Sequence, residues 1–341
     1  MRPDSLPELD EPVDAVYTWV DGSDPEFRAS FLRHSSSRPE GDGSRGRGDN
    51  SARRDRFRDN GELRHSLRSL AAYAPWVRRI HLLTSGQVPR WLDRSDPRLH
   101  LVRHEEVFED PGVLPTFNSH AIEVNLHRIP GLARRFLYFN DDVFLGRPVR
   151  ETDFFLPGGG ERLLMQNYAL TAALRQGSAR DRSLAHTVEL LDRLWGPPRL
   201  PRLLPAHAPR AYDRDRIREL EALLPGEFRE TAAHRFRSGS DLALDALYAH
   251  AAWEDPSAFG RHERVILPDP RWSYRFVMLE NRPWTILRAF TGIRLRRPTF
   301  WCVNDDLGDV SPLHPLLLAL RAFLFLQHPR RGPFERARYS A

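Results

Sequence analysis

Residues 134–143 read RRFLYFNDDV: four apolar or aromatic side chains, Phe136 to Phe139, run straight into Asn140, Asp141 and Asp142. A run without alternation reads as a strand buried on both faces, as in a parallel sheet covered by helices. Two carboxylates cannot follow into that core unpaired, so the chain must reach a rim at Asn140. The fold needs a central sheet, and the Asp-Asp pair needs a role at its edge.

Three further segments read as strands: VDAVYTWV (13–20), which leads into the turn cluster DGSDP, RIHLLTS (79–85) and LHLVRHE (99–105). Leu63, Leu67, Leu70 and Tyr73 recur at helical spacing and stop at Ala74-Pro75. Ala121, Ile122 and Leu126 place a second helix over 118–127, just before FLYFN. Strands alternating with helices define an α/β fold, a Rossmann-like sheet flanked by helices. Ligands of such sheets gather at the carboxyl ends of strands, where the loops VDGSDP and NDDVFLG would meet.

Four stretches follow from composition. Residues 1–34 hold the first strand and its loop. Residues 35–59, almost wholly Gly, Ser, Arg and Asp, read as a flexible linker or lid. Residues 60–160 hold the remainder of the α/β core, and 161–341 form a more helical and mixed portion that completes the same unit. Within it, 213–224 is a helix with Ile217, Leu220, Leu223 and Leu224 on one face, and 240–251 is a helix capped by Ser240 or Asp241. Residues 263–303 read as short strands and turns. The tail PLLLALRAFLFLQHP is an apolar helix, assigned to core packing with peripheral membrane contact as the alternative.

The formal charge is +5 with 46 acidic residues interspersed, which suits anionic substrates without demanding nucleic acid. All 51 basic residues are Arg. A single cysteine, Cys302, excludes an intramolecular disulfide and any multi-cysteine zinc site. The first twelve residues lack a signal-peptide core, and no 18-residue apolar run occurs. The expectation is a soluble cytoplasmic protein, peripheral at most to the inner membrane face.

Asp141 and Asp142 offer the hard oxygens that a divalent cation on a nucleotide diphosphate requires, although Asp-Asp at a strand end also suits an ordinary turn. Glu123, Asp14, Asp21 and Asp24 are further carboxylates near the two loops, each with a plain reading as a solvated face or turn. PAHAPRAYDR (205–214) and HRFRSGSDL (234–242) each pair His with Arg in a loop. An imidazole such as His207 can take a proton from an attacking hydroxyl, and an arginine such as Arg237 can offset charge on a phosphoryl group. FWCVNDDLGD (300–309) repeats the first design, an apolar strand ending in Asn304, Asp305 and Asp306.

DAVYTWVDGSDPEF, RFRDNGELRHSLRSLAAYAPWVRRIHLLTSGQVPRWL, LPTFNSHAIEVNLHRIPGLARRFLYFNDDVFLG, HAPRAYDR with HRFRSGSDL, and CVNDD occur in that order. Together they resemble the Stealth family, which groups bacterial exopolysaccharide and capsule phosphotransferases with the catalytic subunit of the animal N-acetylglucosamine-1-phosphotransferase. The resemblance implies a glycosyltransferase-A-like sheet and transfer of a hexose 1-phosphate from a nucleotide sugar, such as a UDP-sugar, to a glycan hydroxyl, with Mg²⁺ or Mn²⁺. It implies catalytic roles for His207, Arg237 and Glu123, substrate contacts from Asp14, Asp21, Asn118 and Asn304, and metal ligands in Asp141, Asp142 and Asp305. Asp21 stands also as a provisional metal ligand. The alternatives are a metal-dependent glycosyltransferase that releases a nucleoside diphosphate, a nucleotide-sugar hydrolase, and a basic polyanion-binding protein.

Overall fold

A computed structural model describes residues 11–36 and 54–337. The strands are β1 (Val13–Thr18), β2 (Ile80–Thr84), β3 (Leu99–Arg103), β4 (Arg135–Asn140), β5 (Val143–Leu145), β6 (Arg162–Ala169), β7 (Leu203–Pro205), β8 (Arg210–Asp213), β9 (Glu263–Leu267), β10 (Tyr274–Leu279) and β11 (Phe300–Asp305). The helices are α1 (Pro25–Ser36), α2 (Glu62–Tyr73), α3 (Ser119–Glu123), α4 (Ala179–Trp195), α5 (Arg214–Leu223), α6 (Pro225–Ala233), α7 (Leu244–Glu254), α8 (Pro256–Phe259), α9 (Pro283–Arg296) and α10 (Pro315–Gln327).

The central sheet has the order β3-β2-β1-β4-β8, parallel except for β8. Its two faces pack into different cores, as the pleat requires. Leu137 and Phe139 of β4 join Tyr17, Leu82 and the α2 leucines Leu63, Leu67 and Leu70. Phe136 and Tyr138 point the other way, to Val16, Leu83 and residues of α5 and α7. Each fully buried leucine contributes roughly 1.5–3 kcal/mol relative to exposure. The two-sided burial read from FLYFN is therefore the α/β arrangement found. Two three-stranded sheets flank it, β10-β11-β5 and β7-β6-β9. The former is covered by α9 and α10 in a third core.

Several expectations need correction. Residues 37–53 of the expected linker lie outside the described residues, but 54–59 do not fit a linker. Arg54–Phe57 form a 3₁₀ turn, and Phe57 packs with Phe117 and Phe236. The segment after DGSDP is the helix α1, started by Asp24, whose carboxylate accepts from the Phe27 N–H at 2.8 Å. The expected 118–127 helix is a single turn, α3, followed by a 3₁₀ turn. Helix α7 begins at Leu244, and neither Ser240 nor Asp241 caps it. Leu223 of α5 is exposed, because the helix ends there. Residues 283–296, read as strands and turns, form α9. The tail helix α10 buries Leu316, Leu317, Leu320, Phe323 and Leu324, as core packing requires.

Asp14 sits at the amino end of β1, away from the rim where the parallel strands finish. It is fully buried, and its oxygens accept from Arg78 Nε at 2.8 Å and Nη2 at 2.7 Å, His81 Nε2 at 3.0 Å and the Ala133 N–H at 2.8 Å. Burial alone would raise its pKa, but these donors hold it well below the usual carboxylate range. Asp14 ties β1 to β2 and to the chain entering β4, which leaves it no oxygen for a substrate. Removing it leaves the buried His81 Nε2 and Ala133 N–H without an acceptor, while half-exposed Arg78 keeps its solvent, a loss of about 1–3 kcal/mol for each stranded donor. Asp14→Ala should lower the urea midpoint accordingly while the activity per folded molecule stays unchanged.

Candidate active site

In register, Thr18 of β1 lies opposite Asn140 of β4 and opposite Leu83 of β2, so these strands finish level. Asp141 and Asp142 form the two-residue turn that carries the chain from the central sheet into β5. There Val143 pairs with Cys302 of antiparallel β11, and the Val303 N–H donates to the Asp142 carbonyl at 3.3 Å. Asn304 and Asp305 arrive beside the pair for this reason. Strand β8 runs antiparallel to β4, with Arg210 opposite Tyr138, so the segment just before it, which holds His207, reaches the same rim. The start of α3 and the loop after α6 add Ser119 and Arg237. The result is a cleft of about 270 Å³ whose walls include Asp141, Asp142, His207, Arg237, Asn304 and Asp305.

Asp142 joins three elements. Its Oδ1 lies 3.2 Å from His207 Nε2, and its Oδ2 accepts from Asn304 Nδ2 at 3.2 Å and from the Cys302 thiol at 3.3 Å. Burial pushes its pKa up, but His207 and the two other donors outweigh that and keep it below the ordinary value. Burial and the Asp142 charge push the Cys302 thiol well up, so it stays a donor. The carboxylate holds the Nε2–H tautomer of His207, which leaves Nδ1 as the basic nitrogen.

Asp141 has the opposite environment. Burial first, then Asp142, Glu62 and Asp59, push its pKa well above the usual range. Glu62, on the same cleft, is raised to about 8 by burial and by Asp59. Asp59 is raised in turn by burial and by nearby Asp21. Both oxygens of Glu62 are taken by Asn60, by its N–H at 2.6 Å and its Nδ2 at 3.0 Å, so among these carboxyls Asp141 and the outer lone pairs of Asp142 are the hard oxygens that would hold a divalent cation. The donor atoms of Asp142, His207 and Cys302 also lie within 4.8 Å of one another. That mixed oxygen, nitrogen and sulfur set suits zinc better than magnesium. Asp305 does not join the acidic set: Arg58 Nη1 donates to it at 2.5 Å, and its other oxygen accepts from the Leu307 N–H at 3.0 Å.

Arg237 is the cationic counterpart. Its Nη2 donates to Ser119 Oγ at 2.6 Å, while its buried Nε has no hydrogen-bond partner among the described residues. Burial and neighbouring Arg180 push its pKa down to about 10, against the pull of Glu123. Asp241 builds the loop that presents it. Its carboxylate accepts from His234 Nδ1 at 2.7 Å, Asn118 Nδ2 at 2.9 Å, the Ser238 N–H at 2.9 Å and His120 Nδ1 at 3.1 Å. Asn118 is thus a buried latch as well as the N-cap of α3, where its Oδ1 accepts from the His120 N–H.

The cleft unites six of the ten expected residues. Asp14 is at the far end of the sheet, and Asn118 lies behind the wall. Asp21 caps its own turn, accepting from Ser23 N at 2.8 Å and Oγ at 2.6 Å, at the acidic margin of the cleft. Glu123 is buried behind the wall among Arg237, Arg180 and Arg210. It does not orient His207, since Asp142 does. Glu62, Arg58, Ser119 and Cys302 went unsuspected. For Glu62 the signal was its place at the start of a helix whose apolar stripe faces elsewhere.

Three stretches match the Stealth protein conserved regions: region 1 over residues 11–31, region 2 over 56–163 and region 3 over 206–250. An exopolysaccharide phosphotransferase of Streptomyces coelicolor is 39% identical over 99% of this chain and 55% of its own length. The exopolysaccharide phosphotransferase CpsY of Mycobacterium tuberculosis is 34% identical over 95% of this chain and 58% of its own. The chain belongs to the Stealth family. It spans just over half the length of these curated relatives. Among solved structures, the galactosyltransferase LgtC aligns with 93% of this chain and 95% of its own at 11% identity and a TM-score of 0.40. Mouse xyloside xylosyltransferase 1 aligns with 86% and 98% at 13% identity and a TM-score of 0.36.

Burial raises the pKa of Asp241, but the hydrogen bonds from His120 and His234 lower it further, from 3.8 to about 2. A depressed carboxyl stabilises the fold fully above its unfolded pKa and ceases to do so as pH falls through the folded one. This amounts to about 2 kcal/mol, lost between roughly pH 4 and pH 2. Wild type should show that loss in urea titrations at stepped pH, and Asp241→Asn should be weaker at neutral pH and flatter across the window.

Proposed function

We propose that this chain transfers a hexose 1-phosphate from a nucleotide diphosphate sugar to a glycan hydroxyl in extracellular or capsular polysaccharide synthesis. The observation that carries the reading is the 3.2 Å contact between Asp142 and His207 in the same cleft as Arg237, whose Nε has no hydrogen-bond partner among the described residues. The names of the curated relatives agree with it. The acceptor and its polymer remain those of a glycan of unspecified sequence, and a UDP-sugar is the first donor to try. We place the reaction on the cytoplasmic side.

In this reading the Nδ1 of His207 takes the proton of the acceptor hydroxyl as its oxygen forms a bond to the sugar-bearing phosphorus. The bond from that phosphorus to the bridging oxygen breaks, and a nucleoside monophosphate leaves with the electron pair. Asp142 keeps the tautomer and stabilises the imidazolium that forms. Arg237 meets the charge that grows on the non-bridging oxygens. A divalent cation held by Asp141 and Asp142, Mg²⁺ or Mn²⁺, would neutralise charge on the donor diphosphate.

Purified protein incubated with Mg²⁺, a panel of nucleotide sugars and a glycan acceptor should release nucleoside monophosphate, read by anion-exchange chromatography. Release of the diphosphate instead would make the protein a glycosyltransferase, and monophosphate without acceptor would make it a hydrolase. His207→Ala and Asp142→Asn should each lower kcat by about 10²–10³-fold. An acid-labile phosphorus label trapped on wild type but absent from His207→Ala would replace direct attack with a phosphohistidine intermediate.

A further inference from the structure

Helix α9 is apolar on two sides. Ile286, Ala289, Phe290 and Ile293 face the core, while Trp284, Leu287 and Leu295 stand on the opposite stripe, with Trp284 80% and Leu295 78% exposed. Helix α10 repeats the pattern with Leu318, Phe325 and Leu326 exposed. The helices are locked side by side: Phe290 stacks on Phe323 at 4.2 Å, and Arg294 Nη1 donates to the Leu326 carbonyl at 2.8 Å. That last bond sets the exposed ends at Leu295 and Leu326 against each other. Neither helix is long and apolar enough to span a bilayer.

The charge on the two helices has one sign, and the nearest acids along the chain, Glu280 and Asp309, stand beyond their ends, Glu280 against Arg282 at 3.4 Å. Residues 281–303 and 310–334 contain no Asp or Glu and eight Arg. Arg288, Arg294, Arg296, Arg330 and Arg331 are exposed beside the apolar stripes.

We infer that α9 and α10 form a docking surface for an anionic lipid bilayer, lying in its interface with Trp284, Leu295 and Phe325 inserted and the arginines on the headgroups. Soluble polyanions would be met by the arginines but give no reason for the exposed Trp and Leu. A second copy would bring arginine against arginine with no acid to balance them. An anionic membrane surface matches both features, the apolar area and about 1 kcal/mol per arginine near the headgroups. Strand β11, which carries Asn304 into the cleft, links the two helices, so docking would hold the active site at a fixed distance from the membrane. The inference does not rest on the proposed reaction.

The test is sedimentation of the full chain with vesicles of phosphatidylcholine alone and of an equimolar mixture with phosphatidylglycerol. Wild type should sediment with the mixed vesicles, and raised salt should weaken this. The triple variant Trp284→Ser, Leu295→Ser, Phe325→Ser should lose at least about tenfold in vesicle affinity with unchanged circular dichroism, since about 1.4 kcal/mol of insertion energy is tenfold. Arg288→Gln with Arg296→Gln should weaken binding to the mixed vesicles. Equal sedimentation with both vesicle types, or none with either, would overturn the inference. So would a wild-type dimer that the triple variant turns into a monomer, which would make the face a contact between copies.

Discussion

The carboxylate of Asp142 takes hydrogen bonds from three parts of the chain that are far apart in sequence, and the cleft exists because it does. His207 comes from the segment before β8, Cys302 and Asn304 from β11, and Asp142 itself from the turn that leaves the central sheet. Desolvating a carboxylate costs several kcal/mol, which a single partner would not offset. Three donors do, and they fix where the imidazole stands. The flanking sheet β10-β11-β5 therefore helps build the cleft, since β11 brings two of the three donors.

That hub also explains what could be read in advance. The strand FLYFN and the carboxylates after it were legible, because an unbroken apolar run ending in charge has few other folded forms. The relation between Asp142 and His207 was not, because 65 residues separate them and only the antiparallel pairing of β8 with β4 closes the gap. Asp14 is different: the family resemblance assigns it to the site, yet VDAVYTWV already sets it at the entering end of its strand, whereas Asp142 follows the leaving end of its own. Helix α9 escaped notice because its exposed Trp284, Leu287 and Leu295 blur the apolar periodicity that its buried stripe alone would display.

Buried support residues were the least visible. Asn118 and Asp241 never meet the cleft, yet their contacts with each other and with residues 234–238 shape the loop around Arg237. Their sequence context, a short helix start and a Gly-Ser turn, reads as ordinary capping. Asp241 gives up a capping role at α7 to anchor that loop, which is why the helix begins three residues late and without a side-chain cap.

The cleft keeps two electrostatic imbalances. Asp141, Glu62 and Asp59 repel one another, and Arg237 is pressed toward deprotonation by burial and Arg180. Perturbed titratable groups of this kind cluster at sites where a ligand can resolve the conflict. A diphosphate with its divalent cation carries both complements at once, a cation for the acidic group and phosphate oxygens for the guanidinium. A neutral sugar would relieve neither, and a bare polyanion would relieve Arg237 while worsening the repulsion at Asp141. In the proposed reaction the acidic side of the cleft and its guanidinium would each face a different part of one metal-bound diphosphate.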